Sequence, residues 1–93
     1  MSVNLGDRLS DFFIIVRRLI YREMERVHFE GSWSDLLGEI ISKDQRTARR
    51  YCEQDMSQIP HGVTKRIQQR LALVDTKNEL TNYINNYHTI KES

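Results

Sequence analysis

The chain has 93 residues, a net charge of +1, one proline, four glycines and one cysteine. That length makes a single domain with a small core. Abundant Lys, Arg, Glu, Gln and Leu without alternating β-branched residues exclude a sheet in favour of an all-α domain. The lone thiol, Cys52, excludes an internal disulfide framework and suits a reducing cytoplasm.

Residues 1–8 are expected to be a flexible N-terminus without a secretory signal. A long helix is predicted over residues 9–27. There Leu9, Phe12, Phe13, Val16, Leu19, Ile20, Met24 and Val27 form a broad apolar stripe. The apolar run from Phe12 to Val16 is far too short to span a membrane, and Arg17 and Arg18 end it. Ile14 and Tyr21 lie seven residues apart beside the stripe, partly exposed on a monomer. Singly exposed apolar residues are common; contact with another chain is the alternative. Arg17, Arg18, Arg22 and Arg26 share the polar face with Glu23 and Glu25. Like charges at i,i+4 disfavour the helix unless neutralised, and the glutamates are the expected neutralisers.

A turn is predicted at residues 28–32, broken by Gly31, with Ser32 or Ser34 capping the next helix. Trp33 is expected in the core against the first helix. Leu36, Leu37, Ile40 and Ile41 follow at helical spacing. Gly38 sits inside this helix at a cost of about 1 kcal/mol relative to alanine, which close approach of a second helix would offset. Asp44 is placed to cap that second helix. In it, Ala48 and Tyr51 are expected to pack back onto Gly38 and Ile41, leaving Gln45, Arg46, Arg49 and Arg50 facing out. Residues 42–70 hold seven Lys/Arg against three acids, a local net charge of +4 in a chain whose total is +1. Lys65, Arg66 and Arg70 read as a solvated face, and Arg46, Arg49 and Arg50 as functional.

A polar loop is predicted over residues 54–59. Pro60 suits the first turn of the helix that follows, which turns Val63, Ile67, Leu71 and Leu73 inward. Its start, at Pro60, His61 and Gly62, exposes backbone N–H groups as a phosphate seat. After a break at Val74, Asp75 and Thr76, a last helix over residues 77–87 carries Leu80, Tyr83, Ile84 and Tyr87. It completes the core or pairs with its mate in a dimer. Residues 88–93 are expected to be a flexible tail, so residues 9–87 form the domain.

The stretch from Leu37 to Tyr51 resembles the helix-turn-helix of the Cro and phage-repressor class, the XRE-like family, whose pattern is Leu-Ala-x-x-Leu-Gly-hydrophobic-Ser-x-x-Thr-Val-x-x-Trp. Leu37, Gly38, Ile41, Ser42, Lys43, Asp44, Thr47, Ala48 and Tyr51 stand at its places. Trp33, and Ile59-Pro60-His61-Gly62-Val63, are similar to features of one branch, so the resemblance spans residues 31–73. Lys43 replaces a hydrophobic turn residue and Ser42 the turn glycine; a serine there would need φ > 0. The resemblance implies a compact five-helix, lambda-repressor-like domain with its helix-turn-helix at about residues 34–53. It implies a second helix in the major groove of double-stranded DNA. Gln45, Arg46, Thr47 and Arg49 would then read bases, glutamine pairing with adenine and arginine with guanine. Ser34 takes the place of a family glutamine that clamps a phosphate, and Lys43, Arg50 and His61 would grip the backbone with it.

No catalytic constellation, metal site or cofactor motif is expected. His28, His61 and His88 are far apart, no CxxC or HxxxH spacing occurs, and Cys52 has no evident base. The expected protein is therefore not an enzyme but a small, cytoplasmic transcriptional repressor of prokaryotic or phage type, binding DNA as a homodimer. The rival reading is a helical protein-interaction module, a phage-encoded inhibitor or antitoxin with a host protein partner, docking through Ile14 and Tyr21 or the last helix.

Overall fold

A computed structural model describes residues 9–92 of the protein, with side chains through Tyr87. The expected N-terminal lead lies outside the described residues. The chain runs through α1 (Asp11–Val27), α2 (Trp33–Ile41), α3 (Gln45–Cys52), a 3-10 turn (Met56–Gln58), α4 (His61–Leu71) and α5 (Glu79–Glu92). All five elements of regular length are helices, and no strand occurs among the described residues. None of these helices is long and apolar enough to cross a membrane.

Each helix start has a local cause. Ser10 accepts from Phe13 N and caps α1, so this helix begins after Leu9 rather than at it. Ser32 and Asp35 form a reciprocal capping box on α2, satisfying two backbone donors that a helix end leaves open. Asp44 accepts from Thr47 N and caps α3. Pro60 precedes α4 as its cap residue. Buried Asp75 accepts from the backbone N–H groups of Leu80 and Thr81 and so ties down the start of α5.

Helix α2 is the centre. It packs on α1, α3 and α4, while α5 closes the far side of α1. The core joins Phe12, Phe13, Val16, Leu19 and Ile20 of α1 to Leu36, Leu37, Ile40 and Ile41 of α2. Ala48, Cys52, Val63, Ile67, Leu71, Leu80 and Ile84 complete it. Phe12 and Phe13 meet edge to face, with ring centroids 5.0 Å apart.

Several side chains lie where the apolar pattern does not put them. Val27 is exposed, because His28 adopts φ 55° and the chain folds back, Phe29 N donating to Met24 O at 2.8 Å. Phe29 then packs on the core instead. Leu73 is 72% exposed: α4 stops at Leu71, and the turn bonded to Leu71 O carries Val74 and Asp75 inward. The loop at residues 54–59 is not wholly polar, since Met56 and Ile59 are buried. The last helix starts at Glu79, after Asn78 at φ 56°, and continues through residues 88–92 where a flexible tail is expected. No glycine or proline interrupts it there.

Glu23 is the largest departure. It is 0% exposed, although its charge suggests the polar face. Its spacing from Val16, Leu19 and Ile20 puts it on the buried stripe, where two arginines meet it. Arg26 Nε lies 2.7 Å from Oε1, and Arg70 Nε of α4 lies 3.0 Å from Oε2. Arg18 reaches Glu79 of α5 at 3.1 Å. The α1 arginines at 18 and 26 are thus neutralised within the fold, Arg26 by a glutamate of its own helix.

Glu23→Ala should lower stability by about 1–3 kcal/mol in urea unfolding, because both arginines lose their buried partner but stay within reach of water. The Arg26 hydrogen bond, opposed by burial and aided by Arg70, holds the Glu23 carboxyl below its ordinary value of 4.5. At intermediate pH the unfolded chain therefore binds more protons than the folded one. The stabilisation is complete above about pH 4.5 and is lost as pH falls through the lower folded-state value. The Tm of the wild type should fall more steeply below that pH than the Tm of Glu23→Gln.

Candidate nucleic-acid interface

The geometry of the candidate surface starts at the end of α2. Ser42 adopts φ 59° and ψ 42°, the left-handed conformation that its place in the sequence demands. Ser42 N donates to Glu39 O and Lys43 N to Gly38 O, at 3.3 and 2.9 Å. These two bonds close the helix as a Schellman turn. A Cβ on Gly38 would lie 2.8 Å from the Lys43 carbonyl oxygen. The glycine therefore admits the turn backbone first, and through it the following helix. Arg66 Nη1 donates to Ile41 O at 3.3 Å, satisfying a carbonyl at the α2 end. Arg66 and Arg70 are thus both tied into the scaffold.

Asp44 then restarts the chain as α3. Hydrogen bonds from the Thr47 side chain and backbone hold its carboxyl below the usual range. Ala48 and Cys52 are the buried contacts of α3, at 0% and 1% exposure, and Tyr51 is half-buried. Cys52 Sγ donates to Ala48 O, and burial pushes its thiol up to about 12. With that side anchored, Gln45, Arg46, Arg49 and Arg50 are exposed and Thr47 is half-exposed. No acid lies within α3. Its three arginines are exposed, with the exposed carboxylates of Asp44 and Asp35 within electrostatic reach of Arg46 and Arg50 and of Arg49 respectively.

Of the expected backbone-gripping residues, Lys43, Arg50 and His61 are exposed. Lys43 lines a shallow groove with Tyr51, Pro60 and Gly62, so the start of α4 sits beside the turn. Ser34 does not fit its expected role. It is 0% exposed, and its hydroxyl is surrounded by protein. Gln45 Nε2 lies 2.8 Å from Ser34 Oγ, Arg49 Nε 3.4 Å, and Ser32 Oγ 3.0 Å. A side chain so enclosed is not presented to a phosphate. Instead the structure brings Ser34, Gln45 and Arg49 together, linking the starts of α2 and α3.

Two further features escape sequence reasoning. Asp35 accepts from both the backbone and the hydroxyl of Ser32, which keep its carboxyl below the ordinary range. The Ser32-x-x-Asp35 spacing is the available signal, a variant of the capping box. Trp33 is half-buried at the core edge, with the Arg17 guanidinium 4.9 Å over its ring and 5.8 Å over that of Tyr21. Nothing in the spacing of Arg17 announces that stack. Among the described residues no three His, Cys, Asp or Glu side chains are grouped as a metal site needs. No protein-family model, curated protein or solved structure matches the chain.

Gly38→Ala should cost about 1–3 kcal/mol, since its methyl meets a backbone oxygen that cannot move without shifting the turn. Ser42→Gly should do the opposite, raising stability by about 1 kcal/mol by removing the left-handed penalty. Thermal melts of the two variants beside the wild type would show opposite displacements of Tm.

Proposed function

We propose that the protein is a sequence-specific double-stranded DNA-binding protein whose helix-turn-helix, α2 to α3, places α3 in the major groove. The observation that carries this reading is the exposed face of α3. It presents Gln45, Arg46, Arg49 and Arg50 with no acid within the helix, the nearby carboxylates being its cap Asp44, felt by Arg46 and Arg50, and Asp35, felt by Arg49, on a helix anchored through Ala48 and Cys52. An α-helix fits the major groove, and arginine and glutamine are the side chains that read guanine and adenine edges there. Resemblance to the Cro and phage-repressor class supports the same reading and supplies its finer form, a lambda-repressor-like domain. On that reading Gln45, Arg46 and Arg49 face bases. Thr47, half-buried beside Asp44, reaches at most a thymine methyl. Lys43, Arg50 and His61 hold phosphates, which fix register without reading sequence.

One such module covers a short site, so the working form is a homodimer on two half-sites about one helical turn apart. The task that fits a small protein of this kind is repression by occupying a promoter, in a prokaryotic or phage setting and in the cytoplasm. A second reading, a protein-interaction module, is favoured by one observation: Ile14 and Tyr21 on α1 are 47% and 48% exposed.

Selection from a randomised duplex pool at near-physiological salt separates the two. DNA binding predicts enrichment of a two-fold symmetric site, abolished in Arg46→Ala Arg49→Ala. A stable complex with one host protein that survives those substitutions, without enrichment, would support the second reading. Within the first, Arg46→Ala should cost about 1–3 kcal/mol and relax one base pair, whereas Lys43→Ala should weaken all sequences alike and reduce the salt slope by about one.

A further inference from the structure

A groove of about 380 Å³ runs between the end of α2 and the second half of α4. Glu39, Ile40 and Ser42 form one wall, and Arg66, Gln69 and Arg70 form the other. The walls differ in charge. Arg66 and Arg70 stand one helical turn apart, a spacing at which like charges repel. Each is tethered at one nitrogen: Arg66 Nη1 donates to Ile41 O at 3.3 Å, and Arg70 Nε donates to Glu23 Oε2 at 3.0 Å. Those bonds fix where the two guanidinium groups stand and leave further N–H groups on both. Arg70 keeps both terminal nitrogens, a fork that matches the two oxygens of a carboxylate.

On the facing wall Glu39 is exposed, and its carboxylate forms no ion pair among the described residues. Ionised, it can only accept hydrogen bonds. The groove therefore holds charged donors on its α4 wall and a charged acceptor on its α2 wall, without a bond joining them. Ser42 and Gln69, both exposed, add a hydroxyl and an amide that can donate or accept. The one apolar lining residue, Ile40, is almost wholly buried, so an apolar molecule finds little surface here. An anion alone would satisfy the arginines but meet the repulsion of Glu39. A cation alone would satisfy Glu39 but meet two arginines. A molecule that carries both charges satisfies both walls.

We propose that this groove binds a small zwitterion, a molecule with a carboxylate and a protonated amine, as in an amino acid. The carboxylate lies on Arg70 and Arg66, where it also relieves their mutual repulsion, and the ammonium lies on Glu39. Ser42 and Gln69 complete the hydrogen bonding. The groove is open and the ligand has few atoms, so binding is weak, with a Kd of about 1 mM. The inference does not depend on the DNA-binding reading, because none of the six lining residues belongs to α3.

The test is a titration of the nitrogen-labelled full chain with glycine, γ-aminobutyrate and ε-aminocaproate, three zwitterions of increasing length. Sodium acetate and ethylammonium chloride, at matched ionic strength, supply each charge alone. At least one zwitterion should give saturable shifts at Ser42, the Gln69 side-chain amide and Arg70 Nε. It should bind about ten-fold more tightly than acetate or ethylammonium, the worth of one further charge-assisted hydrogen bond. The length that binds best reads the span between the walls. Glu39→Gln removes an exposed charge outside any ion pair and so keeps the fold. It should weaken the best zwitterion about ten-fold, to the level of acetate, while acetate itself binds no worse. Shifts that fail to saturate with every zwitterion would overturn the proposal. So would acetate binding as tightly as the best zwitterion, which makes the groove an anion site only, or unchanged zwitterion affinity in Glu39→Gln.

Discussion

The arrangement depends on one tight place, the contact between Gly38 and the carbonyl of Lys43. With a Cβ at Gly38 only 2.8 Å from that oxygen, α2 can be followed at once by a turn pressed against it. Ser42 accepts the left-handed conformation to make that turn, at a cost of about 1–2 kcal/mol that the Schellman bonds and the burial beneath them offset. Everything the candidate surface offers follows from this. The turn delivers Asp44 as a cap, the cap starts α3, and α3 is short enough that Ala48 and Cys52 alone decide which side is out.

The charges divide along the same line. Arginines outside α3 are largely occupied in holding the fold. Arg26 and Arg70 close on Glu23, Arg18 joins α5, Arg66 caps α2, and Arg17 stacks on Trp33. Those of α3 have no acid within their own helix and form no ion pair like these, with only the exposed Asp44 and Asp35 in electrostatic reach. A chain of nearly neutral total charge can therefore present a basic surface in one place without being basic overall, which is the requirement for an electrostatic hold on phosphates. The order within the surface matters as much as its sign. Arg49 is braced by Ser34, whereas Arg46 and Arg50 stand exposed at the open face.

Much of the fold was legible because helical periodicity and caps are local signals. The α1 stripe, the Asp44 cap and the inward Ala48 follow from spacing and residue type, as does the outward set Gln45, Arg46, Arg49 and Arg50. The positive φ at Ser42 was implied only by its standing where the resembled family has its turn glycine. What was not legible depends on contacts across the chain. Glu23 has a buried position by period and an exposed one by charge, and only Arg70, 47 residues away, decides between them. Leu73 follows an apolar rhythm past the point where its helix has ended. Ser34 looked like a surface hydroxyl because its enclosure comes from Gln45 and Arg49, on another helix.

The most direct measurement is a titration of nitrogen-labelled protein with a short DNA duplex at low salt, following the backbone amide shifts. The account predicts that shifts concentrate on α3 from Gln45 to Arg50, on Lys43 and on the first turn of α4, and that added salt reverses them. Shifts centred on the α1 face of Ile14 and Tyr21 or on α5, or none at all from a folded protein, would contradict it.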